Sequence, residues 1–317
     1  MKLKKIKRMV AVGTAILMTL SLAGCGIGSD SVKLGAAGVG GGYYAFSNAF
    51  AQIASSEDED LDFEVKATAG STANIRLLSD GYVDMAIAQA DLVDAAYNGT
   101  GATDKKRYRG YSAVASLYTE ACQIVVRSDS GIDSLDDLQG KKISVGEEES
   151  GTQRNAEQIL KMTGLVESLV DTVNLDYVDA ANELKSGQID AFFCTAGIQT
   201  SVIEELSKEC DVKLIGIDDK CRDRLKSVYG FYTDYTIPAG TYEGQTQDVV
   251  TLGVRAVLLA RDDMDEKIVE ELTGLLFEHA QDIQYSIALT FQIDESEAVK
   301  NVTIPFHDGA KAYYQKK

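Results

Sequence analysis

Short apolar runs of strand length alternate with longer stretches in which apolar residues recur at helical spacing. That alternation predicts an α/β fold with a mostly parallel sheet. The spacing predicts a strand over 32–37, a glycine-rich loop over 38–42 and a helix over about 43–54. The next strand covers 63–67, ends at Gly70-Ser71-Thr72 and gives way to a helix through Leu78 that Gly81 stops. A third short strand covers 85–88. The plan then recurs: a strand over 142–145, a polar loop over 146–150, a helix over 151–162, a strand over 173–177 and a helix over 180–185 stopped by Gly187. Leu78-x-x-Gly81-x-Val83-Asp84-x-Ala86 repeats as Leu184-x-x-Gly187-x-Ile189-Asp190-x-Phe192 at an offset of 106 residues. In both copies a helix ends on glycine, one polar residue turns, and a buried strand comes next.

Two similar α/β lobes of about 100 residues each are therefore expected. The first takes in residues 32–120 and 237–317. The second runs over 121–228 and opens on the apolar strand 121–127. The aromatic, extended segment 229–236 recrosses between them, succeeded by a strand over 249–254 and a helix over 266–283. Two crossings make a hinge, and a hinge between two α/β lobes makes a cleft.

The first thirty residues have a different character. Lys2, Lys4, Lys5, Lys7 and Arg8 form a basic start, and the apolar stretch over 9–22 is shorter than the ~20 residues a membrane-spanning helix needs. It ends in Leu22-Ala23-Gly24-Cys25, which resembles a bacterial lipobox. Residues 1–24 then form a lipoprotein signal peptide, Cys25 carries the lipid after cleavage, and 25–31 is a flexible tether. The mature chain is expected outside the cytoplasm, held at the membrane by its lipid.

That location permits disulfides. Cys122 and Cys194 stand in apolar runs and read as buried thiols. Cys210 and Cys221 flank an extended segment over 212–217, too long for their Cα atoms to come within ~7 Å without a sharp fold back. No pairing is assigned.

The formal net charge is −18, and the basic start carries no acid, so the rest of the chain is more acidic still. Such a surface repels phosphate backbones, and no nucleic-acid partner is expected. The two histidines, His279 and His307, are far apart, and neither CxxC nor HxxxH occurs. No metal site and no cofactor is indicated.

In open α/β sheets ligands lie beyond the carboxyl ends of the strands, at helix N-termini. That rule selects four loops. The loop from Gly38 to Tyr44 permits close backbone approach at a helix start and offers Gly42, Tyr43 and Tyr44, unless the tyrosines only pack beneath a tight turn. GxGxxG fails there, because Tyr43 stands at the third glycine. The second loop offers Ser71 and Asn74, with Ser71 or Thr72 equally able to cap the helix. The third offers Gln89 and Asp91, and Asp91 can instead cap the next helix. The fourth is Ser150-Gly151-Thr152-Gln153-Arg154-Asn155, where a helix start favours a carboxylate or similar anion. Glu147-Glu148-Glu149 directly before it opposes an anion or recruits an ammonium, although a charge run is usually a solvated face. Neither histidine falls in these loops, so no Ser–His or Cys–His pair is available, and no enzymatic activity is expected.

In order along the chain stand Gly40-Gly41-Gly42-Tyr43-Tyr44, Gly70-Ser71-x-x-Asn74-x-x-Leu77-Leu78, Ala88-Gln89-x-Asp91, Ala96-Tyr97-Asn98-Gly99, Ala115-Ser116-Leu117-Tyr118 and Val145-Gly146-x-x-x-Ser150-Gly151-Thr152. Together they resemble the TAXI-type solute receptors of tripartite ATP-independent periplasmic (TRAP) transporters. The specific motifs cover about 32–197. Three departures stand out: the family usually has Thr where Gly42 is, Gly197 precedes Ile198-Gln199 where the family tends to Gly-His-Pro, and the run from Glu147 to Glu149 is more acidic than the typical loop. The resemblance implies the two-lobed type II periplasmic binding-protein fold and a receptor that hands a small polar solute, an amino acid or a carboxylate, to a TRAP-type membrane permease. It implies that Gly42, Tyr43, Tyr44, Ser71, Asn74, Gln89 and Asp91 hold the solute from lobe one, while Ser150, Gly151, Thr152 and Asn155 close over it. On this reading Thr152→Ala weakens solute affinity without unfolding the protein. A lipoprotein sensing subunit docked on a signalling protein would share these features, and so would a receptor for an ATP-driven importer. A cell-envelope enzyme on the same fold would need a poised acid, base or nucleophile.

Overall fold

The structure, a computed structural model, describes residues 31–101, 105–166, 168–287 and 292–317. The expected signal peptide, the Cys25 motif and most of the tether lie outside the described residues. The first half runs β1 (Val32–Gly35), α1 (Gly42–Glu57), β2 (Phe63–Lys66), α2 (Ser71–Ser79), β3 (Met85–Gln89), α3 (Ala90–Asn98) and β4 (Tyr111–Arg127). The second runs β5 (Lys142–Ser144), α4 (Gly151–Thr163), β6 (Asp171–Val173), α5 (Tyr177–Ser186), β7 (Ala191–Ala196), α6 (Ser201–Glu209), β8 (Val212–Leu214), α7 (Asp219–Tyr229), β9 (Thr233–Ile237) and β10 (Val249–Arg261). The chain closes with α8 (Glu266–Glu278), α9 (Ala280–Ser286) and α10 (Asp308–Gln315).

The sheet order is β2-β1-β3-β10-β4-β7-β5-β6, with β8 on β4 and β9 on β10. The triplet β2-β1-β3 is parallel and reappears as β6-β5-β7, also parallel. β4 and β10 pair antiparallel with every strand they meet. The sheet is thus mixed rather than mostly parallel, because two long strands run back through both halves.

The repeated motif has one mechanical role in each half. The Asp84 carboxylate accepts from Lys33 N–H at 2.9 Å, while Asp84 N–H donates to Lys33 C=O at 2.8 Å. Asp190 repeats both bonds with Lys142, at 2.9 and 2.8 Å. Each aspartate pins the start of its lobe's middle strand to the strand beside it.

Buried apolar side chains fall into separate groups on the two sides of this arrangement. Phe46, Phe50, Met85 and Leu117 pack with α8 on one side, and Ile143, Ile159, Phe193 and Leu225 on the other. Leu252 and Val254 of β10 join the second group, and Ala256, Leu258 and Ala260 the first. β10 thus contributes to both groups along its length, and Tyr232 packs with the second.

Two other elements differ from expectation. The strand over 173–177 stops at Val173, because the Asp176 side chain accepts from Asp179 N–H and starts α5 at Tyr177. The helix over 266–283 breaks at His279, whose backbone leaves helical geometry and separates α8 from α9. Cys122, Cys194, Cys210 and Cys221 are unpaired. No helix among the described residues is long and apolar enough to cross a membrane.

Candidate functional site

The carboxyl ends of β1, β3 and β7 and the N-termini of α1, α2, α4 and α5 converge on a cavity of about 40 Å³. Of the residues selected from sequence, Gly42, Tyr43, Ser71, Gln89, Ser150, Gly151 and Thr152 line it. The wall is completed by residues that sequence reasoning did not select, chiefly Glu120, Glu147, Asp176, Tyr177 and Thr195.

Glu120 sits in β4, whose run from Ala113 to Val126 is otherwise almost wholly buried, and is itself 2% exposed. Tyr43 donates its phenol to the Glu120 carboxylate at 2.6 Å. Burial pushes the Glu120 carboxyl up to about 8, against the hydrogen bonds from Tyr43 and Gln89 and with a smaller push from the Asp91 charge. Burial and the Glu120 charge likewise hold the Tyr43 phenol well above its ordinary range. Glu147 is raised too, by desolvation and by Asp176. The apolar residues on both sides of Glu120 are visible in the sequence, but that they form one strand which buries the acid is not.

Gln89 closes β3. Its backbone N–H donates to Ser71 Oγ at 3.1 Å, so Ser71 is spent on the strand end rather than on capping α2. The Gln89 side-chain Nε2 donates to Asn155 Oδ1 at 3.0 Å, and its buried Oε1 has no partner. Asn155 itself lies behind the wall, where it donates to Tyr232 Oη at 2.8 Å, and Tyr232 donates to Gln158. It positions Gln89 rather than lining the cavity.

Thr152, Tyr177 and Thr195 form a closed ring. Tyr177 Oη donates to Thr195 C=O at 3.0 Å, and Thr195 N–H donates to Thr152 Oγ1 at 3.2 Å. Thr152 then donates to Tyr177 Oη at 2.6 Å. Tyr177 and Thr195 lie 106 residues after Ser71 and Gln89, the offset of the internal repeat. Applying that offset to the residues chosen in lobe one would have found both.

Besides Asn155, three selected residues stand apart from the cavity. Asn74 is buried below it: Nδ2 donates to Ala36 C=O at 2.5 Å and Ile87 C=O at 2.8 Å, and Oδ1 accepts from Thr68 at 2.7 Å, which ties β1 to β3. Tyr44 is half-buried on α1 outside the wall. Asp91, in the first turn of α3, faces a separate groove that Arg154 also lines, and burial pushes its carboxyl up to about 6.

The two lobes meet directly around the cavity. Glu149 has a left-handed backbone (φ 65°), which turns its carbonyl toward lobe one, where Thr72 and Ala73 N–H both donate to it at 3.1 Å. Its carboxylate receives Arg76 through two parallel bonds of 3.0 and 2.6 Å. On the opposite rim Ser201 Oγ donates to Gly40 C=O at 3.1 Å. These contacts enclose the cavity. Gly151 faces Gln89 so closely that a Cβ there would meet its carboxamide at 2.5–2.7 Å.

A model described as the NMT1-like family matches residues 34–317. Among solved structures, the chain is similar to MatC from Rhodopseudomonas palustris with bound malate, at TM-score 0.60 and 14% identity over 90% of this chain and 96% of that one. It is similar to a putative L-cystine ABC transporter from Listeria monocytogenes, at TM-score 0.51 and 14% identity over 81% and 93%. It is also similar to the GluR0 ligand-binding core from Nostoc punctiforme in complex with L-glutamate, at TM-score 0.50 and 11% identity over 80% and 96%. These likenesses show the two-lobed periplasmic binding-protein fold.

Proposed function

The chain belongs to the NMT1-like family, and from that premise we propose that it is an extracytoplasmic solute-binding receptor that captures a small polar solute, an amino acid or a carboxylate, between its lobes. The observation that carries this reading is the cavity walled by matching positions of both lobes, with Glu149 joining the lobes beside it. Tyr43, Ser71, Gln89 and Glu120 face the solute from lobe one, with Gly42 at the helix start. Ser150, Gly151 and Thr152 face it from lobe two, and Asn155 braces Gln89. Solute bound to lobe one gains its lobe-two contacts only on closure, so it shifts the population toward the closed form. The closed shape is what the partner recognises. The motifs of the TAXI type point to a TRAP-type permease as that partner, and the lipobox to a lipid anchor at Cys25.

Thermal unfolding tests the reading. The protein is first unfolded and refolded to strip carried-over solute, then heated with amino acids, carboxylates and sugars in turn. A solute present at 100 times its Kd adds about 2.7 kcal/mol, a shift of several degrees. A selective shift supports a receptor, whereas folded protein that no class of solute shifts contradicts it.

A further inference from the structure

The cavity wall is unbalanced in charge and in hydrogen bonding. Glu120, Glu147 and Asp176 line it, and no Lys or Arg does among the described residues. Glu120 receives Tyr43 and the Gln89 side chain, both of them neutral. Beside it the Gln89 Oε1 is buried in the same wall without a partner, although a buried carbonyl oxygen left unpaired is costly. Two buried acceptors thus face a wall that offers them no Lys or Arg side chain among the described residues. An ammonium group, with three N–H donors and a positive charge, meets both deficits, while a hydroxyl meets only the smaller one.

Resting on the receptor reading above, we infer that Glu120 selects the solute by charge: its carboxylate, with the Gln89 carbonyl, takes an ammonium group, so the cavity admits amino acids and rejects the matching hydroxy acids. The groups that face Glu120 from the surrounding elements are neutral or acidic. They are Tyr43 on α1, Gln89 ending β3, Asp91 on α3, Tyr118 and Cys122 on β4, Tyr177 on α5 and Cys194 on β7. Glu147 and Asp176 complete the wall from lobe two. Arg255, on the paired strand β10, turns its guanidinium away to Ser116 Oγ and Leu117 C=O. None of these supplies the positive charge.

Binding of an ammonium then depends on pH with a definite sign. The Glu120 carboxyl, raised to about 8 by burial in this structure, favours the protonated form near neutral pH while no cation faces it. An ammonium group favours the carboxylate, so the proton leaves to solvent as the solute enters. Affinity therefore rises with pH up to about 8, by at most ~10-fold per pH unit, and levels off above it.

The test is calorimetric titration of the refolded protein with matched pairs that differ only in ammonium against hydroxyl: alanine and lactate, aspartate and malate, glutamate and 2-hydroxyglutarate. Each pair is run at about pH 6 and about pH 7.5, in buffers of different ionisation enthalpy, to count protons. The expected result is one amino acid bound about 100-fold more tightly than its hydroxy acid, with close to one proton released near neutral pH. Glu120→Gln is expected to lose most of that preference and the proton release. A hydroxy acid bound as tightly as its amino acid overturns the inference, as does a preference or proton release kept in Glu120→Gln. If no pair binds but a sugar does, the inference fails and the receptor reading stands. If no class binds, the receptor reading itself fails. The paired titrations of the unaltered protein decide the matter even if the variant does not fold.

Discussion

Thr152 shows how a residue chosen for ligand contact can hold two roles at once. Its hydroxyl lines the cavity, yet both its donor and its acceptor are spent in the ring with Tyr177 and Thr195. Thr152→Ala therefore does more than remove a contact: it strands the Thr195 N–H in a buried site, at a cost of about 1–3 kcal/mol. The variant is expected to unfold several degrees below the parent in the absence of solute, as read by calorimetry. An unchanged midpoint would mean that the ring does not hold the wall. Weakened affinity in a stable protein, the expectation from sequence, thus becomes lost stability as well, because the sequence shows the hydroxyl at a helix start but not its two partners. Glu120 is hidden for the opposite reason. It stands where the first lobe is expected to end, and an acid at an element boundary reads as solvated until the strand is seen to continue from Tyr111 to Arg127.

At the scale of elements, the acidic run before α4 divides into three fates. Glu147 reaches the cavity wall, Glu148 is exposed, and Glu149 crosses to lobe one. The Arg76–Glu149 pair is more than a third exposed and adds at most ~1 kcal/mol by itself. The firmer part of the contact is the Glu149 carbonyl on the α2 amides, which satisfies donors that the helix start leaves open. Gly151 permits that approach. An alanine there favours α4 on its own, but its Cβ collides with a Gln89 side chain that Asn155 holds in place. Gly151→Ala is expected to weaken solute binding by 10-fold or more, on the order of 1.4 kcal/mol, with the solute-free midpoint unchanged or slightly raised. Unchanged affinity would show that this approach is not needed for closure.

Most elements of the first 200 residues are legible in the sequence, because glycine stops and strand periodicity recur in both halves. The length of β4 and β10 is not, since strands buried on both faces lose the alternation that marks an end. Nor is the break at His279, which no glycine or proline announces.

Over the whole molecule the duplication explains why the cavity lies where it does. The orders β2-β1-β3-β10 and β6-β5-β7-β4 are the same plan used twice, and the two long strands join the copies edge to edge. Strand ends and helix starts of both copies then face one space, so Ser71 and Gln89 meet Tyr177 and Thr195 across it. Such a site is complete only when the copies come together. Small-angle X-ray scattering of the stripped protein, before and after the solute found by thermal shift is added, tests that claim most directly. A smaller radius of gyration with bound solute is the predicted result. Superimposable curves at saturating solute would contradict a cleft that closes on what it binds.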